Sequence, residues 1–358
     1  MTLHKLAIIG GGINSAVGRA HLAAARMDGR WEVIGGMFSH DADQCALSAN
    51  AYGVKPFLTV ADIITSEAEC VVILTPTPTH FHLVRTLINF GMPVICEKSL
   101  AMTSQECDEL FDWRDKMNGF LAVVYNYSGY PMVRAMRKLI EDGVIGKVNH
   151  FVAEMPQEGF LRSRGAIQSW RRKDDDGCPM IHLDLTVHLH QLLHYLTGAV
   201  PLSVAGMERS DSPIGVVDSA VAMVKCEGGE SGCLSVSKTS LGSRNGLQLK
   251  IYGTEGSFCW NQSVPDLVVF ADRHGTTMTI DRSHHSLGGA GRFKPGHPTG
   301  FVEALGYLYE DFADCLMQFK QTGNWTSREV FGAELAYGGL RLCEAIHRSS
   351  VTGRWEEV

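Results

Sequence analysis

Five short apolar runs recur through the first third of the chain: KLAIIGGG (5–12), WEVIGGM (31–37), CVVIL (70–74), MPVIC (92–96) and FLAVVY (120–125). Segments of helical character separate them, among them SAVGRAHLAAARMDG (15–29), HFHLVRTLINFG (80–91) and SQECDELFDWRDKMN (104–118). Strands alternating with helices imply right-handed crossovers and a doubly wound parallel sheet. Because the strands are apolar throughout, both faces of that sheet are expected to be covered.

The pattern changes after about residue 127. A helix, PMVRAMRKLIEDG (131–143), leads into a strand, KVNHFVAEM (147–155), and a second helix is predicted over 181–197. From 201 to 282 strand-like runs follow one another, with turn signals in CEGGESGC and YGTEGSF. Consecutive hairpins of this kind build a large, open, mainly antiparallel sheet. Two helices are predicted near 300–320 and 328–347, and the Gly-rich stretch 282–300 reads as a long, mobile loop. The expected class is α/β, with one domain over 1–127 and a second α/β domain over 128–358.

Composition narrows the function. The chain has 358 residues, 45% apolar and 20% charged, with a formal net charge of −7. That charge, with no run of Lys or Arg, argues against general nucleic-acid binding, which needs basic surface to neutralise phosphates. No apolar stretch of about 20 residues suggests a membrane helix. The N-terminus runs into a strand without the shape of a signal peptide. The ten cysteines are scattered and form no C-x-x-C pair, which suits core positions in a reducing cytoplasm.

The turn GGGINSAVG (10–18) lies between the first strand and the first helix. Glycines there let the backbone approach a pyrophosphate, and a helix N-terminus favours negative charge. Gly10, Gly12, Ile13 and Asn14 are therefore candidate cofactor contacts. The spacing departs from G-x-G-x-x-G: Ser15 stands where the third Gly would fall, and the next is Gly18. After the second strand, MFSHDAD (37–43) offers Ser39, His40 and Asp41. Ser39 with His40 suits the 2′-phosphate of NADP, whereas Asp41 suits the ribose hydroxyls of NAD or serves as a helix N-cap.

Five stretches together resemble the Gfo/Idh/MocA oxidoreductase family. GGGINSAVGRAHLAAA is similar to a longer-loop form of the family's first turn. TPTPTHFH (75–82) resembles its T-P-N-x-x-H segment, and VICEKSLAMT (94–103) its E-K-P segment, with Ser99 in place of the proline. HLDLTVHLHQLLHYLTG (182–198) resembles its D-x-x-x-H helix, and GHPTGFVEALGYLYEDF (296–312) its G-H-P-x-G-(Y/F) stretch. The resemblance implies a Rossmann domain binding NAD or NADP. It also implies a sugar or polyol substrate, and a homodimer or homotetramer assembled through the C-terminal sheet. Thr75, Pro76, Thr77 and His80 then fall near the nicotinamide, beside Glu97, Lys98 and Asn126.

Lys98 follows a strand end, where open α/β sheets bind ligands; the plainer reading is a surface pair with Glu97. Asp184 and His188, four apart on a predicted helix, share a face, so the carboxylate can orient the imidazole. An imidazole titrates near neutrality and is suited to taking a hydroxyl proton while hydride leaves the same carbon. Lys98 would hydrogen-bond that oxygen. The catalytic set expected is Lys98, Asp184 and His188, with Tyr127, Trp170 and Arg171 as further substrate contacts and His297 a weaker one. His182, His188, His190 and His194 crowd one helix, but 182 and 190 lie on other faces than 188, so no metal site is expected. The function expected is an NAD(P)-dependent dehydrogenase of a sugar, cyclic polyol or derivative. Two other classes remain open: a redox-neutral NAD-dependent glycosidase or epimerase, and a non-catalytic nucleotide sensor.

Overall fold

The apolar runs of the first third become buried parallel strands. The structure, a computed structural model, describes residues 3–162, 170, 177–284 and 291–358. The strands are β1 (His4–Gly10), β2 (Trp31–Met37), β3 (Lys55–Pro56), β4 (Cys70–Leu74), β5 (Val94–Glu97) and β6 (Leu121–Val124). They form one sheet in the order β3-β2-β1-β4-β5-β6, parallel throughout. The order reverses between β1 and β4, the switch point at which open α/β sheets bind ligands beyond the strands' C-terminal ends. β3 was not expected from the sequence, being two residues long and carrying Pro56 at the sheet edge.

The chain divides into two units, Met1–Gly129 with Phe301–Tyr337, and Tyr130–Gly300 with Gly338–Val358. The single cut expected after residue 127 misses the return of the chain to the first unit. The helix Phe301–Thr322 buries Leu305, Leu308, Tyr309, Phe312 and Leu316 in the same core as Leu6, Trp31 and Phe120. An apolar helical stripe carries no sign of which sheet it will cover, so the sequence pattern alone could not assign it. Two contacts hold it there. The indole N–H of Trp31 donates to the Tyr309 carbonyl at 2.7 Å. A Cβ on Gly129 would lie 2.0 Å from the Ala304 carbonyl oxygen, so only glycine permits that approach.

The second unit holds a nine-stranded sheet. Its strands are β7 (Val148–Pro156), β8 (Pro201–Arg209), β9 (Ser219–Cys226), β10 (Ser231–Ser237), β11 (Gln248–Gly253), β12 (Gly256–Asn261), β13 (Leu267–Asp272), β14 (Thr277–Asp281) and β15 (Glu356–Glu357). Their order is β14-β13-β12-β11-β7-β10-β9-β8-β15. β7 and β10 pair in parallel, and the other neighbours are antiparallel. The two turn signals read from the sequence close the β9–β10 and β11–β12 hairpins. Along β9, Ala220, Ala222 and Val224 are buried while Val221 and Met223 are exposed, the two-residue period of a sheet with one covered face. Among the described residues no helix is long and apolar enough to cross a membrane.

The helix Val187–Thr197 is buried along most of its length, and His190 goes in with it. A Cβ on Gly339 would come within 3.1 Å of His190 Nδ1, so glycine backs the ring. Burial, reinforced by His194, pushes the His190 imidazole down to about 3.

Two outcomes are expected. Gly129→Ala drives a methyl into the Ala304 carbonyl and costs about 1–3 kcal/mol, a fall of roughly 2–10 °C in the thermal midpoint. Gly159→Ala, with nothing within 4 Å of the added Cβ, leaves the midpoint in place. The second concerns acid. The unfolded imidazole takes up its proton near 6.5 and the folded one near 3, so the His190 contribution is full above about 6.5 and is lost as pH falls toward 3. Denaturant midpoints measured across that window decline, by up to about 1.4 kcal/mol per pH unit for this group. The decline becomes shallower in His190→Leu.

Candidate active site

The glycine turn after β1 is built by close backbone approach. Gly10 and Gly11 have φ of 82° and 67°, in the left-handed region that favours glycine. A Cβ on Gly10 would stand 2.8 Å from the Leu74 carbonyl carbon and the Thr75 nitrogen, and one on Gly18 only 1.9 Å from the Gly11 carbonyl oxygen. Gly18 thus provides the close contact between helix and turn that the missing third glycine would give. Ser15, in that glycine's place, folds its hydroxyl back to accept from the amides of Val17 and Gly18, at 3.3 and 3.2 Å. The helix accordingly begins at Gly18. Ile13 donates its amide to Ser48 Oγ at 3.3 Å, while Asn14 is exposed in the turn.

At the end of β2, Asp41 is the N-cap of the helix Ala42–Tyr52, accepting from the Gln44 amide at 2.8 Å. Its own amide donates to Ser39 Oγ at 3.1 Å. His40 beside it is exposed.

The ends of β4 and β5 are tied together by one imidazole. His80 is buried, with Nδ1 2.7 Å from the Ser99 carbonyl and Nε2 2.8 Å from the Thr75 carbonyl. Burial holds its pKa below the usual value, so the neutral ring donates to one carbonyl at a time. The ring is thereby committed to bracing the Thr75–Thr77 and Lys98–Ser99 segments. Pro76 is exposed and Thr77 buried at the start of a short 3-10 turn. The Lys98–Ser99 peptide bond is cis.

Glu97, the last residue of β5, is hydrogen-bonded through both carboxylate oxygens. Its Oε2 accepts from the Lys98 amide at 3.0 Å, and its Oε1 lies 3.0 Å from Nε2 of the fully buried His21. His21 Nδ1 in turn meets the Tyr309 hydroxyl at 2.9 Å. Burial, then the Glu97 charge, holds the Tyr309 phenol well above its usual range, so it stays a donor. The Glu97 carboxylate only accepts, so the proton between it and His21 sits on Nε2. Sequence reasoning assigned Glu97 to the cofactor and overlooked His21 and Tyr309, which lie 76 residues before and 212 after it with no local signal.

Past β6, Asn126 and Tyr127 are buried in a short 3-10 turn. Among the described residues no group satisfies the Asn126 Nδ2 donor. A buried amide without an acceptor is costly, and an acceptor on a bound dinucleotide would meet it. This orphaned donor and the glycine cradle both fit a dinucleotide in the first unit.

The second unit carries Asp184 and His188. Asp184 lies in a π-helical segment, His182–Thr186, that runs into the helix Val187–Thr197 where His188 is buried. The four-residue spacing thus spans a wider turn than the uniform α-helix expected, a distortion found often at functional sites. Asp184 has a partner the sequence did not reveal: Lys238 Nζ donates to its Oδ2 at 2.6 Å. Trp170 is half-buried, and Arg171 lies outside the described residues. The predicted mobile loop lies partly outside them too. Where it is described, the buried Arg282 binds the Phe293 and His297 carbonyls, so those residues are tied down rather than loose. Among the described residues no group of three or more His, Cys, Asp or Glu is arranged to hold a metal ion.

Known proteins bear on both units. Residues 4–125 match the model of the "oxidoreductase family, NAD-binding Rossmann fold", and 133–259 that of the GFO/IDH/MocA C-terminal domain. An uncharacterised oxidoreductase, YfiI of Bacillus subtilis, is 27% identical over 86% of this chain and 84% of its own. Levoglucosan dehydrogenase of Pseudarthrobacter phenanthrenivorans is 27% identical over 60% of this chain and 63% of that enzyme. In three dimensions, an inositol dehydrogenase homologue from Azotobacter vinelandii, crystallised with NADH and myo-inositol, aligns over 100% of this chain and 98% of its own, with a TM-score of 0.90 at 23% identity. The two domain matches, in this order and on the units just described, take in most of the sequence. The chain belongs to the Gfo/Idh/MocA family of oxidoreductases, with an NAD-binding Rossmann fold.

Proposed function

We propose that the protein is an NAD(P)-dependent dehydrogenase acting on a secondary hydroxyl of a sugar, cyclic polyol or close derivative. The observation that carries this is Lys98, directly after β5, on the same strand-end edge as the glycine turn and the orphaned Asn126 amide. The names of relatives point the same way, since levoglucosan is an anhydrosugar and myo-inositol a cyclic polyol. The first unit takes the dinucleotide role and the second the substrate role.

Bound nicotinamide supplies the hydride acceptor. The remaining work falls to the protein's own residues. Gly10, Gly12, Ile13 and Asn14 cradle the pyrophosphate, Ser39 and His40 face the ribose, and Asn126 contributes its amide. Thr75, Pro76 and Thr77 form the loop beside the nicotinamide, with His80 and Glu97 acting from behind as braces. Lys98 hydrogen-bonds the reacting oxygen and stabilises negative charge on it. His188 receives the hydroxyl proton, and Asp184 orients and stabilises the ring that receives it. Tyr127 and Trp170 line the substrate.

The ten free cysteines, eight of them buried, support a reducing compartment, the cytoplasm. The exposed face of the nine-stranded sheet, with Met207, Val221, Met223 and Val269, supports assembly with further copies of the chain.

A panel of sugars, inositols and glycosides with NAD and with NADP, read at the nicotinamide absorbance, tests the reading. Net reduced cofactor with a polyol or sugar is the expected result. Tightly held cofactor and product formed without net reduction would replace it with the redox-neutral class, and no turnover of any substrate would leave a sensor. In the active pair, Lys98→Ala lowers turnover by about 10²–10⁴-fold, with cofactor affinity from fluorescence titration little changed. Near-normal turnover in that variant removes Lys98 from the chemistry.

A further inference from the structure

Asp184 is held from outside its own helix. Lys238 Nζ donates to Asp184 Oδ2 and to Gln157 Oε1, each at 2.6 Å. These two anchors come from one feature of the sheet. Gln157 and Lys238 each stand one residue beyond the last matched pair of β7 and β10, Pro156 with Ser237. The backbone there is pinned as well: the Gln157 amide donates to the Ser237 carbonyl at 2.7 Å, and the Lys238 amide to the Asp218 carbonyl at 2.8 Å.

The network extends further from the ammonium. Gln157 Nε2 donates to Asn245 Oδ1 at 2.6 Å, and Asn245 Nδ2 to Gln262 Oε1 at 2.6 Å. Each amide accepts on one side and donates on the other, so the chain has a single direction and its members polarise one another. It ends near the Tyr130 hydroxyl, 3.4 Å from Gln262 Nε2.

The side chains of Lys238 and Asp184 are only 10% and 14% exposed. Taking such a pair out of water costs about as much as its attraction returns, so stability alone is a weak reason for its presence. A lysine at the end of an alternating strand, turned inward onto an acid in a π-helical turn, calls for another reason. We propose that Lys238, held by Gln157, is a positioning residue that fixes the plane and orientation of the Asp184 carboxylate for its work with His188. The proposal rests on the dehydrogenase reading above. Lys238 itself need touch neither substrate nor cofactor.

A double-mutant cycle of Lys238→Met, Asp184→Asn and the pair together, with Lys238→Arg as the conservative variant, tests it. With the substrate the panel identifies, Lys238→Met lowers kcat by on the order of 10–100-fold and leaves KM for the cofactor unchanged. Lys238→Arg recovers most of the loss, and adding Lys238→Met to Asp184→Asn costs little more. Turnover within threefold of the parent in a folded Lys238→Met protein overturns the proposal, as do losses that simply multiply. Where Lys238→Met does not fold, Gln157→Leu removes one anchor of Nζ; lower kcat is expected, and unchanged kcat overturns the proposal. Thermal midpoints of the same variants need no substrate, so they separate this failure from failure of the dehydrogenase reading. Each single variant melts earlier and the double no earlier than the worse single. Additive melting losses mean that the two residues do not act as a pair, and the proposal falls with them.

Discussion

Buried polar groups must find partners, and the strand ends of the first unit are organised by that requirement. The Glu97 carboxylate is met by His21 and by the amide of the residue that follows it, and His21 is met by Tyr309. One hydrogen-bonded line therefore joins the end of β5, the helix after the glycine turn and the helix Phe301–Thr322. Lys98 leaves the chain from a peptide fixed at both ends, by Glu97 on its amide and by His80 on the carbonyl of Ser99. Lys98 is thus mounted on a backbone anchored from two sides, which lowers the ordering cost of placing it against a ligand.

The second unit solves a similar problem with a charge. Asp184 sits where the helix widens into a π turn, and the sheet delivers Lys238 and Gln157 to it from two adjacent strand ends. Parallel pairing matters here. β7 and β10 run in the same direction, so their C-terminal ends fall side by side and the next residue of each reaches the same place. An antiparallel pair would have placed one of these two residues at the far end of the ladder.

Much of this was legible from residues alone. Five of the six parallel strands are legible as apolar runs of five to eight residues between helical segments, and the hairpins as Gly-rich turns between alternating ones. The glycine turn was legible as a turn, although the task of the missing third glycine passes to Gly18, three residues later. What local pattern cannot carry is long-range pairing. Nothing near His21 marks it as the partner of Glu97, and nothing near Lys238 marks it as the partner of Asp184, 54 residues earlier. The helix Phe301–Thr322 shows the same limit at larger scale. Its apolar stripe predicted burial, but only the folded core identifies Leu6 and Trp31 as its neighbours.

The dehydrogenase role proposed above requires Lys98 and His188 to serve one hydroxyl in one step. Single-turnover hydride transfer, followed at the nicotinamide absorbance in Lys98→Ala, His188→Asn and the double variant, tests this most directly. Groups that act as a unit give a double variant little slower than the slower single. Losses that multiply in full would mean that the two side chains act in separate steps, and would contradict the account.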